Sequence, residues 1–365
     1  MKLERSEEML LALLRAALHQ REVEIGYFQQ VTADDWEQCY RLAVRQGVSA
    51  LAWEGVERLP QEDAPPLDVK VSWALLEKKQ LATYRKHVRV VNELTQFFAQ
   101  HGIATVVLKG VGLSRLYPVP AHREGGDIDI YTYSADKHRM TDEEANRLAN
   151  ELVERQGIHI DYSDVTLHTS FCYRGIICEN HWRFFNTENF IELSEAEEWL
   201  KKHLSLQSVR LLGGNYSIYV PTVVFDRVFV PLHAAKHYGN GLLLRHLCDW
   251  VVLNQQEGLQ LPKELTNRYI RQIIAVFSQL TNQYLGTSIL VEGNDKLAND
   301  IMEEIMRPPT YAMFSSENPI RNGWYKIRLK LHLLGLRKRL LGVPIWKSVK
   351  IYFLSVLSKP SRLYR

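Results

Sequence analysis

Asp127 and Asp129 lie two residues apart in the stretch Gly125-Gly126-Asp127-Ile128-Asp129-Ile130. Successive side chains of a β-strand alternate faces, so this spacing aims both carboxylates one way and sends Ile128 and Ile130 into the core. Two like charges on one partly desolvated face repel, and something must compensate them. A divalent cation does so naturally: Mg²⁺ takes one or two carboxylates and fills its shell with water and phosphate oxygens. The pair therefore points to chemistry on a nucleotide phosphate. The competing reading is a solvated face or sheet edge, where neither Asp needs a partner. Flanking residues weigh between the two.

Upstream, Ile103 to Leu108 (IATVVL) is short, apolar and β-branched, which predicts a buried strand entered from Gly102. It runs into Lys109-Gly110, after which Val111, Leu113, Leu116 and Tyr117 predict a short helix stopped by Pro118. Such a turn puts backbone N–H groups and a positive dipole end beside a glycine that lets phosphate approach, and Gly112 adds local freedom. Arg123 is a candidate phosphate partner, with an ordinary surface arginine as the alternative. Two-metal phosphoryl chemistry needs a third acid. Asp161, Glu179 and Glu192 are the candidates, and Glu179 is preferred. It interrupts an apolar strand after Arg174-Gly175, with Ile177, Glu179 and His181 on one face. A glutamate among Ile, Cys and Trp is costly to bury without a partner. A strand-edge glutamate beside a packed histidine is the plainer alternative. Histidine suits Zn²⁺ better than Mg²⁺, so His181 is given a supporting role.

The order strand, glycine turn, helix, then a strand carrying Asp-x-Asp resembles the polymerase-β-like nucleotidyltransferase superfamily. More narrowly, Val107-Leu108-Lys109-Gly110, Leu116-Tyr117-Pro118, Arg123 and Gly126 to Ile130 resemble the bacterial family of uncharacterised nucleotidyltransferases. Trp36 to Leu51, Ile177 to Phe184 (ICENHWRF) and Tyr219 to Asp249 extend the likeness to about residue 255. The resemblance implies an α+β fold, a nucleotidyltransferase-type mixed sheet core flanked by N- and C-terminal helical regions. It also points independently to Glu179 and His181. In the superfamily the turn is Gly-Gly or Gly-Ser. Here Val111 follows Gly110, so that phosphate contact falls to the backbone or to Lys109.

The chain of 365 residues has 46% hydrophobic and 24% charged residues, ordinary values for a globular protein. Residues 1–95 are expected to form an N-terminal helical region, 96–222 the nucleotidyltransferase core, and 223–365 a C-terminal helical region. In the first, Thr32-Ala-Asp-Asp35 predicts a capping box and Gly47 a stop, and a Pro-rich stretch from Leu59 to Leu67 precedes a long helix reaching Phe97 and Phe98. Thr141 predicts the start of a helix running to Gln156, and Leu211-Leu-Gly-Gly-Asn-Tyr216 a hairpin. Cys39, Cys172, Cys178 and Cys248 show no paired spacing, so reduced, buried thiols in the cytoplasm are expected. No secretory leader or membrane-spanning run is expected.

Residues 321–365 hold twelve Lys or Arg and no Asp or Glu, which leaves −9 on the rest of a chain whose net charge is +3. This tail could pack on the acidic body, lie on an anionic membrane surface, or bind RNA; packing is favoured. His233 and His237 share a helix face, with packing or substrate contact favoured over metal. The resemblance implies that this segment lies beside the core and helps shape the acceptor pocket; Arg245 and Asp249 could equally form a surface i, i+4 pair.

The expected protein is a metal-dependent nucleotidyltransferase that moves an NMP, AMP foremost, from an NTP to an unidentified hydroxyl acceptor. Asp127, Asp129 and Glu179 would hold Mg²⁺ or Mn²⁺. Lys109, Gly110, Arg123 and His181 would serve the nucleotide. The rival is a noncatalytic scaffold of the same fold, docked by its basic tail on a membrane or complex. A third version keeps the enzyme and makes the acceptor a tRNA or a protein.

Overall fold

The computed structural model describes residues 2–162, 167–188, 190–236, 242–255, 261–291 and 293–307, with 335, 338–340, 342, 346 and 349 beyond them. Helix α1 (Arg5–His19) buries Met9, Leu10, Leu13, Leu14 and Ala17. The capping box forms at the start of α2 (Ala33–Arg45): Thr32 Oγ1 accepts from the Asp35 N–H at 3.2 Å, and Asp35 Oδ2 accepts from the Thr32 N–H at 2.9 Å. After α3 (Ser49–Val56) and the Pro-rich break comes α4 (Leu67–Ala99), 33 residues long. At 1.5 Å per residue it runs about 50 Å.

The sheet follows. It contains β1 (Ile103–Val107), β2 (Ile128–Ser134), β3 (Ile160–Asp161), β4 (His168–Tyr173) and β5 (Ile176–His181), ordered β1-β2-β5-β4-β3. Only β2 and β5 are parallel, so the sheet is mixed. The one-turn helix α5 (Val111–Ser114) leads from β1 towards β2, and α6 (Asp142–Arg155), capped by Thr141, covers one face. Helix α7 (Ser194–Lys202) precedes the expected hairpin, β6 (Leu206–Leu211) and β7 (Tyr216–Pro221). Then come α8 (Val223–Lys236), α9 (Leu244–Asn254), α10 (Arg268–Tyr284) and α11 (Asp295–Met306). The fold is α+β as expected. None of the described helices is long and apolar enough to cross a membrane.

Two apolar cores divide the molecule. One lies under the sheet, where Val88, Val91, Leu94 and Phe98 of α4 meet Ile128, Ile130, Ala149 and Cys178. The other joins α1–α3 and Trp73 at the start of α4 to α8–α11, including Trp250 and Phe277. Helices from the two ends of the chain thus share one interior, and α4 enters both cores. Cys39, Cys178 and Cys248 are buried; Cys172 is exposed, contrary to expectation, because its side chain leaves β4 on the side away from the core. Most of the basic tail and His237 lie outside the described residues. Within the tail, Arg339 pairs with Asp300 at 2.5 Å and Leu340 is buried, contacts that belong to packing on the body.

A buried histidine ties the helical core to the loop that enters β2. His122 Nδ1 lies 2.8 Å from Glu54 Oε1 on α3, and Nε2 lies 3.1 Å from Glu77 Oε1 on α4. Both nitrogens face carboxylates, and both can donate to them only when the ring is an imidazolium. Burial opposes the charge, but the hydrogen bonds and charges of Glu54 and Glu77 prevail and raise the pKa. The sign follows from linkage: this contribution is complete below the unfolded value of about 6.5 and is lost as pH rises through the higher folded value. His122→Gln should lower stability at pH 6 by about 1.5–3 kcal/mol. Urea denaturation should show that deficit shrinking towards pH 9; a deficit independent of pH counts against the imidazolium.

Candidate active site

At the exit of β1 the Leu108 N–H donates to the Asp129 carbonyl oxygen at 3.0 Å, which holds the following turn against β2. Gly110 in that turn has φ 58° and ψ −118°, a conformation closed to L side chains. Gly112 answers a different need: a Cβ there would stand 2.8 Å from the Val107 carbonyl oxygen. Because α5 makes a single turn, its dipole is small. Positive charge reaches the site on the side chain of Lys109 instead. Its Nζ lies 2.6 Å from Asp129 Oδ2 and 3.7 Å from Asp127 Oδ2.

The acids come from two neighbouring strands. Parallel register sets Asp129 beside Glu179 and Tyr131 beside His181. Alternation then works as expected: Ile128, Ile130 and Cys178 fill the core beneath the sheet. Asp129, Glu179 and His181 take the other face. One oxygen each from Asp127, Asp129 and Glu179 lie within 4.8 Å of one another. Asp161 falls on the far edge strand and Glu192 on a single 3-10 turn, and neither joins this group. The Asp127 side chain is 44% exposed, whereas Asp129 is 1% and Glu179 23%. Oxygen donors of this kind suit Mg²⁺ or Mn²⁺, so the residues fit the metal that the resemblance implies.

Electrostatics keep Asp129 and Glu179 ionised. Burial works to raise the Asp129 carboxyl, but the Lys109 ammonium and the His181 hydrogen bond hold it far below the usual range. His181 Nε2 lies 3.1 Å from Asp129 Oδ1 and 3.5 Å from Glu179 Oε2. Burial opposes charge on this ring too, yet the two carboxylates raise its pKa. Glu179 is also lowered: burial and repulsion from Asp129 are outweighed by His181 and His168.

Lys109, Asp127, His168, Glu179 and His181 line a cavity of about 270 Å³, walled opposite by Phe229, His233, Arg245 and His246 of α8 and α9. Arg123 reaches this wall, but its Nε and Nη2 donate to Asp249 at 3.1 and 2.8 Å and its Nη1 to the Glu124 carbonyl. Tyr117 Oη donates to the same Asp249 at 2.7 Å. Asp249 is therefore not the surface partner of Arg245: it is buried and belongs to Arg123. Among the described residues no carboxylate lies within ion-pair distance of Arg245, and its Nε has no hydrogen-bond partner. Burial and the charge of Arg123 lower its pKa. His246 is pushed down to about 3 by burial and by Arg245, and its Nδ1 accepts the Leu243 N–H.

Two contributors escape the sequence reading. His87 of α4 sits between the carbonyl oxygens of Thr83 and Gly126, at 2.8 and 3.2 Å, and so steadies the glycine pair before Asp127. His168 of β4 brings Nε2 to 3.5 Å from Glu179 Oε1. The first has no local signal. The second does, because His168 and His181 are equidistant from the Arg174-Gly175 turn and face each other across the hairpin.

A family model described as an uncharacterised nucleotidyltransferase matches residues 32–275. The solved structures include a crystal structure of an antigenic nucleotidyltransferase-like protein from Paracoccidioides brasiliensis. It is 13% identical, with 56% of this chain and 94% of that chain covered and a TM-score of 0.37. No curated protein matches the chain.

The Arg123–Asp249 pair is open to a direct test. Asp249→Ala leaves a buried guanidinium uncompensated and should cost about 3–5 kcal/mol in urea denaturation. Asp249→Asn keeps a hydrogen-bond acceptor and should cost less. Equal, small losses for both would show that the cavity wall does not depend on the pair.

Proposed function

Since the chain belongs to the family of uncharacterised nucleotidyltransferases, we propose that it moves an NMP, AMP foremost, from an NTP to a hydroxyl acceptor and releases pyrophosphate. The observation carrying this reading is the meeting of Asp127, Asp129 and Glu179 beside a cavity lined by Asp127, Glu179, Lys109 and Arg245. Lys109 and His181 offset part of the charge of the three acids, and a divalent cation would balance the rest.

Asp127, Asp129 and Glu179 are the residues that would hold Mg²⁺ or Mn²⁺, which when bound polarises phosphoryl oxygens and offsets charge on the leaving pyrophosphate. Asp129 is held ionised in advance by Lys109 and His181. Lys109, at the edge of the acids, has only to turn from Asp129 towards the cavity to meet a phosphate oxygen. Arg245 is the better phosphate partner on the opposite wall, because Arg123 is already engaged by Asp249. In the reaction the acceptor oxygen forms a bond to the α-phosphorus while the bond to the α,β-bridging oxygen breaks. The electron pair of that bond leaves with pyrophosphate, and the hydroxyl proton passes to Glu179. Gly110 leaves room beside Lys109 for the phosphates to approach.

A thermal-shift panel of the four NTPs, each with Mg²⁺ or Mn²⁺, tests the donor site. Wild type at a hundredfold excess over Kd gains about 2.7 kcal/mol, a rise of several degrees. The Asp127→Asn/Asp129→Asn variant should lose that gain, and transfer of an α-labelled nucleotide should fall at least ~100-fold. Metal-dependent binding that survives in the variant sinks the assignment of these acids. No shift with any nucleotide in wild type favours the noncatalytic scaffold.

A further inference from the structure

The geometry points to a second cation position on this face: we propose that His168, Glu179 and His181 bind Zn²⁺, or a chemically similar late first-row dication, in preference to Mg²⁺. The proposal rests on the active-site reading only in sharing Glu179 and the cavity. It needs no nucleotide to be true.

The sheet builds the position. His168 of β4 and His181 of β5 are direct cross-strand partners, so both rings rise on one face, and Glu179 lies two residues from His181 on that same face. The rings stand 4.8 Å apart between centroids. The two carboxylate oxygens of Glu179 divide between them: Oε1 lies 3.5 Å from His168 Nε2, and Oε2 lies 3.5 Å from His181 Nε2. Ligand atoms of the three residues fall within 4.8 Å of one another. A tetrahedral ion with bonds of about 2.0–2.1 Å has ligands about 3.4 Å apart, so whichever Glu179 oxygen serves, one N···O edge is already near its final length.

Donor chemistry separates this position from the acidic one. Two imidazole nitrogens and one carboxylate suit Zn²⁺ and do not suit Mg²⁺, which wants oxygen and keeps its water. His181 Nε2 now faces Asp129 and Glu179 across hydrogen-bond distances. The cation takes the place of that ring's proton, which adds one positive charge to a face carrying three carboxylates, and Lys109 remains on Asp129. All three residues line the cavity. Three protein ligands leave a fourth place open to an oxygen from that side, the pattern of a catalytic and not a structural zinc site. An acceptor hydroxyl held there would lose its proton more readily. A packed pair of histidines with no cation is the alternative.

The test titrates the full chain, freed of metal by chelation, with Co²⁺, Zn²⁺ or Mg²⁺ alone. Wild type should give the intense visible bands of four-coordinate Co²⁺. One equivalent of Zn²⁺ should abolish them, and Mg²⁺ at a hundredfold excess should not. His168→Gln should weaken Co²⁺ and Zn²⁺ binding at least ~10-fold. His168→Cys, which restores a zinc ligand, should recover Zn²⁺ binding and exclude misfolding as the cause. Weak, octahedral-type Co²⁺ bands, or equal affinity in His168→Gln, overturn the proposal. The Mg²⁺–NTP thermal shift of wild type is read alongside. If it persists while Co²⁺ binding ignores His168, the second cation falls and nucleotidyl transfer stands. If it is absent while Co²⁺ binding depends on His168, the metal position stands and the donor site falls.

Discussion

Negative charge gathered on one half-buried sheet face is the constraint that the rest of the structure answers. Asp129 is almost wholly removed from water, and a carboxylate so placed is affordable only with positive charge in contact. Lys109 and His181 supply it from opposite sides. Each depends on a backbone feature that tolerates little change. Lys109 depends on a turn that Gly110 alone can make, and His181 on the parallel register of β2 and β5. Asp129 and Glu179 are thus prepared in their ionised form by the fold itself. A ligand cation meets carboxylates that have already shed their protons.

The cavity wall repeats the logic with the signs reversed. Arg123 and Asp249 neutralise one another, with Tyr117 sharing the carboxylate, so this pair is a strut between the loop before β2 and helix α9. Arg245 has no such partner among the described residues and is left as a positive charge facing the space where an anion would lie. One arginine builds the site and another faces into it. The distinction follows from which carboxylate each can reach.

Periodicity made much of this legible. The two-residue alternation in Asp127-Ile128-Asp129-Ile130 and in Ile177 to His181 separates core from site face, and the structure keeps that separation. Caps at Thr32 and Thr141 and the break before α4 were equally readable, because each is a local matter of a few residues. Pairings across long separations were not. Nothing near Asp249 announces Arg123, 126 positions away, and a helical i, i+4 neighbour was the plausible but mistaken partner. His168 lies between these cases. Counting six residues back from Arg174 and six forward from Gly175 brings it opposite His181, once that turn is taken as a hairpin.

The shared interior of the two terminal helical regions has a consequence for how the chain is made. Gln46 Nε2 donates to the Ile305 carbonyl at 2.6 Å, Arg15 to the Tyr284 carbonyl at 3.1 Å, and Arg307 pairs with Glu7 at 2.9 Å. At roughly 5–20 residues per second, a ribosome takes tens of seconds to travel from the first member of each pair to the last. Through that interval α1 to α3 have only one another and the start of α4 to bury against. The part of their apolar surface that faces α8–α11 stays open to water or to a chaperone until those helices emerge. The sheet, whose strands all lie between residues 103 and 181, is complete well before then. The order of synthesis thus delivers the acidic face before the helical wall that closes the cavity over it.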